Sequence, residues 1–442
     1  MKKPNAQHIT KLTVDLGGHR VGVLALGVDR KIWFAYDPAW IATGFNLAPK
    51  AMDFESRAQL AKGDVFGGLH GTFSDSLPDG WGLLLMDREF KRHLAWQPHD
   101  ITPLDRLAYI GARAMGALEY APAHAQGPIP DTVDLSDLAK SVEAVLQGKE
   151  SDVLSQLRIQ GGSPGGARPK VTLARSQSST ACRSGFQTLP EGYSHWIVKF
   201  RSRDDPRDLG RIERAYAEVA SLAGVLMPQT DLIAVGEGKK REDYFAVERF
   251  DRCEQNAKRH VLSLAGLLYA DFRLPCMDYD SVLAAVAGIT QDHSQTEQAF
   301  RLMTFNVLSH NRDDHVKNFA FLHHDQEGWK LAPAFDLTFS TGMGGEHTTA
   351  VGGQGSPGLE HVLKIGNEHH IAHAEQIVAE VRYAVAQWAA LAKKWALTSA
   401  SALKIQQALA KVDKQFKMAP MQPYVPPQPA TQKKKRGRPL KR

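Results

Sequence analysis

The chain has 442 residues, 43% of them hydrophobic, and a formal net charge of +6, enough apolar content for one or two large cores. Three scattered cysteines (Cys182, Cys253 and Cys276) make neither a disulfide framework nor a zinc knuckle, which points to a reducing compartment. The opening Met1–His8 leads into an alternating strand pattern rather than an apolar signal core. No apolar run approaches the roughly 18 residues of a membrane helix, so a cytoplasmic protein without membrane contact is expected.

Residues 10 to about 125 read as a mainly β segment with short helices. From Asp131 to Gln156, Leu135, Leu138, Val142, Val145 and Leu146 recur at helical spacing, with Asp134 or Ser136 placed to cap a linking helix. Gly161–Lys170 then forms a glycine-rich loop leading into a strand at Val171–Ala174. Such a loop lets backbone N–H groups approach anionic oxygens closely, although no Walker A lysine follows it. Ser194–Phe200 is an apolar strand closed by Lys199, where a kinase places the lysine that grips nucleotide phosphates. Ile212–Ala220 is helical, and Tyr244–Asp251 is a strand running into charged residues that resembles a hinge meeting the adenine edge.

From His260 the pattern turns helical, through Val261–Tyr269, Val282–Val286 and Phe300–Leu308. The next stretch holds the strongest signal. Asp313, Asn318 and Asp336 supply an acid, an amide five residues on and a second acid. One carboxylate can orient a hydroxyl while the amide oxygen and the other carboxylate hold Mg²⁺ against phosphates. A hairpin of Phe319–Leu322 with Trp329–Ala332 would return Asp336 to the side of Asn318. Gly352–Gly358 reads as a flexible loop, and Val378, Val381, Val385, Trp388, Leu391 and Trp395 as a buried stripe. Glu368, His369, His370 and His373 approach metal-ligand spacing, yet they precede a helix without thiols and read as structural.

Taken in order, these blocks resemble the HipA family of bacterial toxin kinases. The resemblance extends to Arg20–Leu24, Phe66–Leu69, the block D-S-L-P-D-G-W-G at Asp75–Gly82, E-R-F-D-R at Glu248–Arg252 and D-D-H-V-K-N at Asp313–Asn318. It implies an α+β, two-lobed, protein-kinase-like fold. An N-terminal subdomain would span 1–125, a nucleotide-binding lobe 126–252, a helical catalytic lobe 253–418 and a disordered tail 419–442. It also implies site roles. Asp313 would be the catalytic base beside a second acid, Asp314, with Lys199 on the ATP phosphates. Asn318 and Asp336 would bind Mg²⁺. Gly165, Gly166, Ala167, Arg168 and Lys170 would lie at the phosphates, Glu248 and Phe250 would offer backbone groups to adenine, and His315 and Lys317 would line the pocket. Glu213 and Glu218 both remain candidates to pair with Lys199. Ser163 matches the family's self-phosphorylated serine, where a dianion would repel ATP. The sequence departs from part of the family at Arg168-Pro169.

Seven positive side chains crowd into Gln432–Arg442, so a total of +6 leaves −1 for everything before them. A proline-rich spacer at 421–429 precedes this segment, whose composition is that of a disordered tail. Within it, Arg436-Gly437-Arg438-Pro439 resembles the core of an AT-hook, able to enter a narrow minor groove. The function implied is a Ser/Thr protein kinase toxin using Mg²⁺-ATP. The resemblance implies an aminoacyl-tRNA synthetase as substrate and a helix-turn-helix antitoxin, HipB-like, as the partner on operator DNA. The alternative is a DNA-associated regulator using ATP as a switch. A small-molecule or lipid acceptor shares the same catalytic residues.

Overall fold

Alternation of apolar and polar residues builds the first sheet. It contains β1 (Lys11–Leu16), β2 (His19–Leu26), β3 (Ile32–Tyr36), β4 (Gln59–Leu60) and β5 (Leu118–Ala121) in the antiparallel order β4-β3-β2-β1-β5. In β3 the buried residues are Ile32, Phe34 and Tyr36, every second position, as a sheet with one covered face requires. Phe34 meets Phe73 with ring centroids 4.8 Å apart. The described residues of this computed structural model are 7–124, 131–149, 157, 166–253, 256–417 and 420–426.

A second antiparallel sheet, ordered β7-β6-β8-β10-β9, carries the glycine-loop side of the molecule. Its strands are β6 (Lys170–Ser176), β7 (Cys182–Ser184), β8 (Tyr193–Lys199), β9 (Thr230–Val235) and β10 (Glu242–Glu248). The linking helix runs over Leu135–Leu146, and positions 150–156 of the expected span lie outside the described residues. Its cap is Asp134, which accepts from the N–H groups of Ser136 and Asp137. It buries Leu138, Val142 and Val145 with Val171, Leu173 and Val198 of the sheet. The helix Gly80–Leu94 joins this core to the first one: Trp81 and Leu85 pack with the second sheet, Met86 and Phe90 with the first.

The remaining strands are short: β11 (Val261–Ser263), β12 (Met277–Asp278), β13 (Ala320–His324), β14 (Gly328–Leu331) and β15 (Thr349–Ala350). β13 and β14 form the expected antiparallel hairpin. Helices Tyr279–Thr290, His293–Leu308, Ala374–Ala386, Trp388–Lys394 and Ser399–Asp413 surround them. The stripe from Val378 to Leu391 is buried as expected, with Trp395 at its edge. One expectation fails locally. Val261–Ser263 is a strand, and the helix begins only at Leu264, because Ser263 takes the cap position and accepts from the Gly266 N–H at 2.9 Å. The Gly352–Gly358 loop is also more constrained than expected, since Asp278 accepts the N–H groups of Gly352 and Gly353. Among the described residues, no helix is long and apolar enough to cross a membrane.

The E-R-F-D-R block has a structural role that spacing did not reveal. Asp251 is fully buried and accepts from Arg249 at 2.7 Å, from Arg252 at 2.7 Å and from the Gly116 N–H at 2.7 Å. Arg252 also donates to the Ala114 and Gly116 carbonyls, fastening the first sheet's last loop to the end of β10. Burial alone would raise the Asp251 carboxyl, but the two guanidinium groups outweigh it and hold it well below the usual carboxylate range. Asp251→Ala strands two buried cations, so a loss of about 3–5 kcal/mol in denaturant unfolding is expected. Because the native pKa is depressed, the stabilisation is complete above roughly pH 4. The difference between wild type and variant should narrow as acid protonates the group below that.

Candidate active site

Antiparallel pairing of β6 with β8 sets Lys170 directly opposite Lys199. Two like charges at facing positions repel, and carboxylates gather around them. Lys199 Nζ lies 3.1 Å from Glu213 Oε2 and pairs with Asp336 as well. Arg168 adds a third cation, 3.6 Å from Glu213 and 3.3 Å from Asp205. Burial would lower the Lys199 ammonium, but Asp336 and Glu213 carry it above its ordinary value. Lys170 is pushed down by burial and by Lys199, partly offset by Asp336. Burial alone would raise Asp336, and Lys199 and Lys170 hold it well below the usual range. The result is a cationic floor whose countercharges are already in place.

Glu213 is the partner of Lys199. It sits on the inward face of Leu209–Leu222, where Ile212, Tyr216 and Val219 enter the core. Glu218 faces elsewhere, 2.6 Å from Lys394 and 2.8 Å from Trp395 Nε1.

The second cluster comes from the loop after His293–Leu308. Asp313 and Asp314 receive opposite surroundings. Asp314 is buried and accepts from Tyr279 Oη at 2.9 Å and from the Thr348 N–H at 2.9 Å, with His347 Nδ1 at 2.8 Å. Tyr279 in turn accepts from Asn306, whose carbonyl oxygen accepts from Asn311 at 2.9 Å. This buried chain fixes the loop, while Asp313 itself is exposed. The amide nitrogen of Asn318 donates to the Asp313 carbonyl at 2.7 Å, which leaves its oxygen for another partner. Asp336 follows Phe335 with a left-handed φ of 54°, a sparse conformation for a non-glycine residue that tends to persist at functional sites. Phe335 rests against Phe250, 5.6 Å between ring centroids.

The other expected residues distribute as follows. His315 lies near Asp336, and its buried Nδ1 has no hydrogen-bond partner among the described residues. Lys317 pairs with Asp79 at 2.6 Å and stands over the Phe272 ring. Gly166 has a φ of 102°, and Ala167 beside it is exposed. Gly165 and Ser163 lie outside the described residues, as does the Arg436–Pro439 segment. Glu248 ends β10 and gives its backbone N–H to the Gln229 carbonyl at 2.9 Å, so any contact it makes to a base edge must use its carbonyl. Sequence reasoning missed Asp79, Asp205, Tyr279 and His347, which sit far along the chain from the residues they support.

A description of the HipA-like C-terminal domain matches residues 162–411, and one of the HipA N-terminal domain matches residues 12–121. The chain belongs to the HipA family. Among its relatives, the Sinorhizobium fredii protein named "Putative kinase Y4dM" is 24% identical over 388 residues, covering 83% of this chain and 86% of that protein. A Haemophilus influenzae protein of similar designation is 25% identical over 188 residues, covering 40% of this chain and 52% of its own. The HipA of Shewanella oneidensis, solved with HipB and operator DNA, superposes with a TM-score of 0.65 at 18% identity. That superposition covers 92% of this chain and 97% of the other, so the HipA fold extends over nearly the whole molecule.

The two glutamates give a direct test. Glu213→Gln leaves Lys199 and Lys170 facing each other with one carboxylate fewer. It is expected to change nucleotide affinity on the order of tenfold, the scale of a charge-assisted hydrogen bond. Glu218→Gln, on the outer face, is expected to leave affinity within about twofold by titration calorimetry.

Proposed function

We propose that this HipA-family chain is a Ser/Thr protein kinase toxin that transfers the γ-phosphate of Mg²⁺-ATP to a protein hydroxyl. The observation that carries the reading is the joining of two clusters. Lys199, held by Glu213 and Asp336, faces the cleft from the sheet. Asp313 and Asn318 are fixed by one hydrogen bond in the loop that precedes the hairpin carrying Asp336.

The donor set fits a hard divalent cation. The Asn318 amide oxygen and the Asp336 carboxylate are oxygen ligands of the kind Mg²⁺ takes, and the orphaned His315 Nδ1 lies beside them. When bound, the ion would neutralise charge on the transferring phosphate. The chain's own residues do the rest. Asp313, exposed at the cleft, accepts the proton of the attacking hydroxyl. Lys199 and Lys170 hold phosphate oxygens, and Arg168 adds to the field at the loop's exit. The Glu248 carbonyl meets the adenine edge. Bringing an anionic nucleotide to this floor exchanges carboxylate partners for phosphate ones without exposing the lysines to each other.

On this reading Ser163, in the glycine-rich loop, is the site of self-phosphorylation. A dianion there would compete with ATP for the same cations and switch the enzyme off. Substrate and partner follow the family: an aminoacyl-tRNA synthetase as acceptor, and a HipB-like antitoxin that brings the toxin to operator DNA. The basic tail with Arg436–Pro439 would add a tethered minor-groove contact that raises effective concentration.

Intact mass before and after Mg²⁺-ATP tests the proposal. Wild type is expected to gain a phosphate that maps to Ser163, and Asp313→Asn to lose at least about a hundredfold in transfer rate, the scale of general-base removal. An Asp313→Asn protein that still arrests growth would instead favour the ATP-switch reading.

A further inference from the structure

We infer that Asp79, in the N-terminal part of the chain, is a positioning residue of the nucleotide site, clamping the glycine-rich loop to the catalytic loop. The inference rests on the kinase reading above and adds to it a residue that neither the glycine loop nor the catalytic lobe contains.

Asp79 directs its two carboxylate oxygens to different bodies. Oδ1 accepts the backbone N–H of Gly166, at the base of the glycine loop. Oδ2 accepts from Lys317 Nζ at 2.6 Å, on the segment between Asp313 and Asn318. The carboxylate is largely buried, which alone would raise its pKa, but Lys317 and the Gly166 N–H hold it below the usual value. It is therefore charged at neutral pH, and both hydrogen bonds are charge-assisted.

Two further contacts seat the same loop independently of the carboxylate. The Trp81 N–H donates to the Gly166 carbonyl at 3.2 Å. Gly80, with a φ of 44°, presses so closely that a Cβ there would stand 2.6 Å from the Gly166 oxygen and 2.7 Å from the Ala167 Cα. Trp81 itself is anchored in the core under the second sheet. Gly166 and Ala167, at the described end of the loop, are thus held by three consecutive residues of the N-terminal part. That grip makes Asp79 a clamp rather than a carboxylate standing in for a phosphate. If it were only a stand-in, nothing else would hold the loop against it.

The test measures Mg²⁺-ATP affinity of the full chain by titration calorimetry in an Asp313→Asn background, where the nucleotide is not consumed. Asp79→Asn keeps the shape and removes the charge, and is expected to weaken binding about tenfold, the scale of a lost charge-assisted bond. Asp75→Asn, four residues away, removes a carboxylate that accepts from Ser263 of the helical lobe and feels Lys317 only through space, with no hydrogen bond to it among the described residues. It should change the melting temperature without changing affinity beyond about twofold. Gly80→Ala, whose Cβ would press on the Gly166 carbonyl and Ala167, should weaken binding in the same direction and serves if Asp79→Asn does not fold. Unchanged or tighter binding in Asp79→Asn would overturn the inference alone, tighter binding identifying the carboxylate as a competitor of phosphate. A folded parent protein that binds no Mg²⁺-ATP would remove the kinase reading, and the inference with it.

Discussion

Two lysines facing each other across adjacent antiparallel strands are the constraint around which the second sheet and the cleft beside it are built. Lys170 opposite Lys199 is an unfavourable pair, and ordinary sheets avoid it. Here the repulsion is met by carboxylates from three separate elements: Glu213 from a helix, Asp336 from beyond a hairpin, and Asp79 from the N-terminal part. Each must be delivered by its own piece of tertiary structure. The fold is therefore tied to its site, because loosening any one of the three elements leaves less countercharge on buried cations. A polyanionic ligand would relieve the same strain directly, which is why such a floor suits a nucleotide better than a neutral substrate.

A second economy of buried charge lies at the catalytic loop. Asp314 is as fully enclosed as Asp313 is exposed, although they are adjacent. The enclosed acid accepts donors from Tyr279, Thr348 and Thr349, which belong to segments on either side of it. With its backbone fixed at Asp314 and at the Asp313 carbonyl, which accepts from Asn318, the loop presents the Asp313 side chain to solvent. An exposed carboxylate on a rigid support can be reached by a hydroxyl substrate without rearranging the loop.

What could be read from the sequence was whatever is local along the chain. The glycine loop, the strand closing at Lys199 and the hairpin between Asn318 and Asp336 are runs of a few residues whose patterning states their geometry. What could not be read depends on distance or on facing. Asp79 meets Lys317 across 238 positions, and no spacing announces such a pair. Glu213 and Glu218 share one helix and differ only in direction. Five residues at 3.6 per turn set them about 140° apart, so the choice waits on which side the sheet lies. The apolar run from Val261 failed for a different reason: strand and helix share that composition over short lengths, and the decision fell to Ser263, whose donors are taken by Asp75.

The D-S-L-P-D-G-W-G block shows why the N-terminal part cannot be regarded as an appendage. Its first acid, Asp75, accepts both the N–H and the hydroxyl of Ser263 at 2.6 Å, and burial pushes its carboxyl up to about 6. Despite that burial, the carboxylate orients the two Ser263 donors at the start of the helix Leu264–Leu268. Its second acid, Asp79, reaches the glycine loop and the catalytic segment. Gly80 supplies a backbone that no side chain would permit so near Gly166, and Trp81 enters the core beneath the second sheet. Four residues within a run of seven thus touch the helical lobe, the second sheet and the segment between Asp313 and Asn318. The large core tells the same story, running without interruption from Leu12 in the first strand to Phe416 beside the last helix. On the proposed reading, the geometry of the cleft depends on the N-terminal segment being packed on the rest, because Asp79 and Gly80 reach Gly166 and Lys317 from that segment.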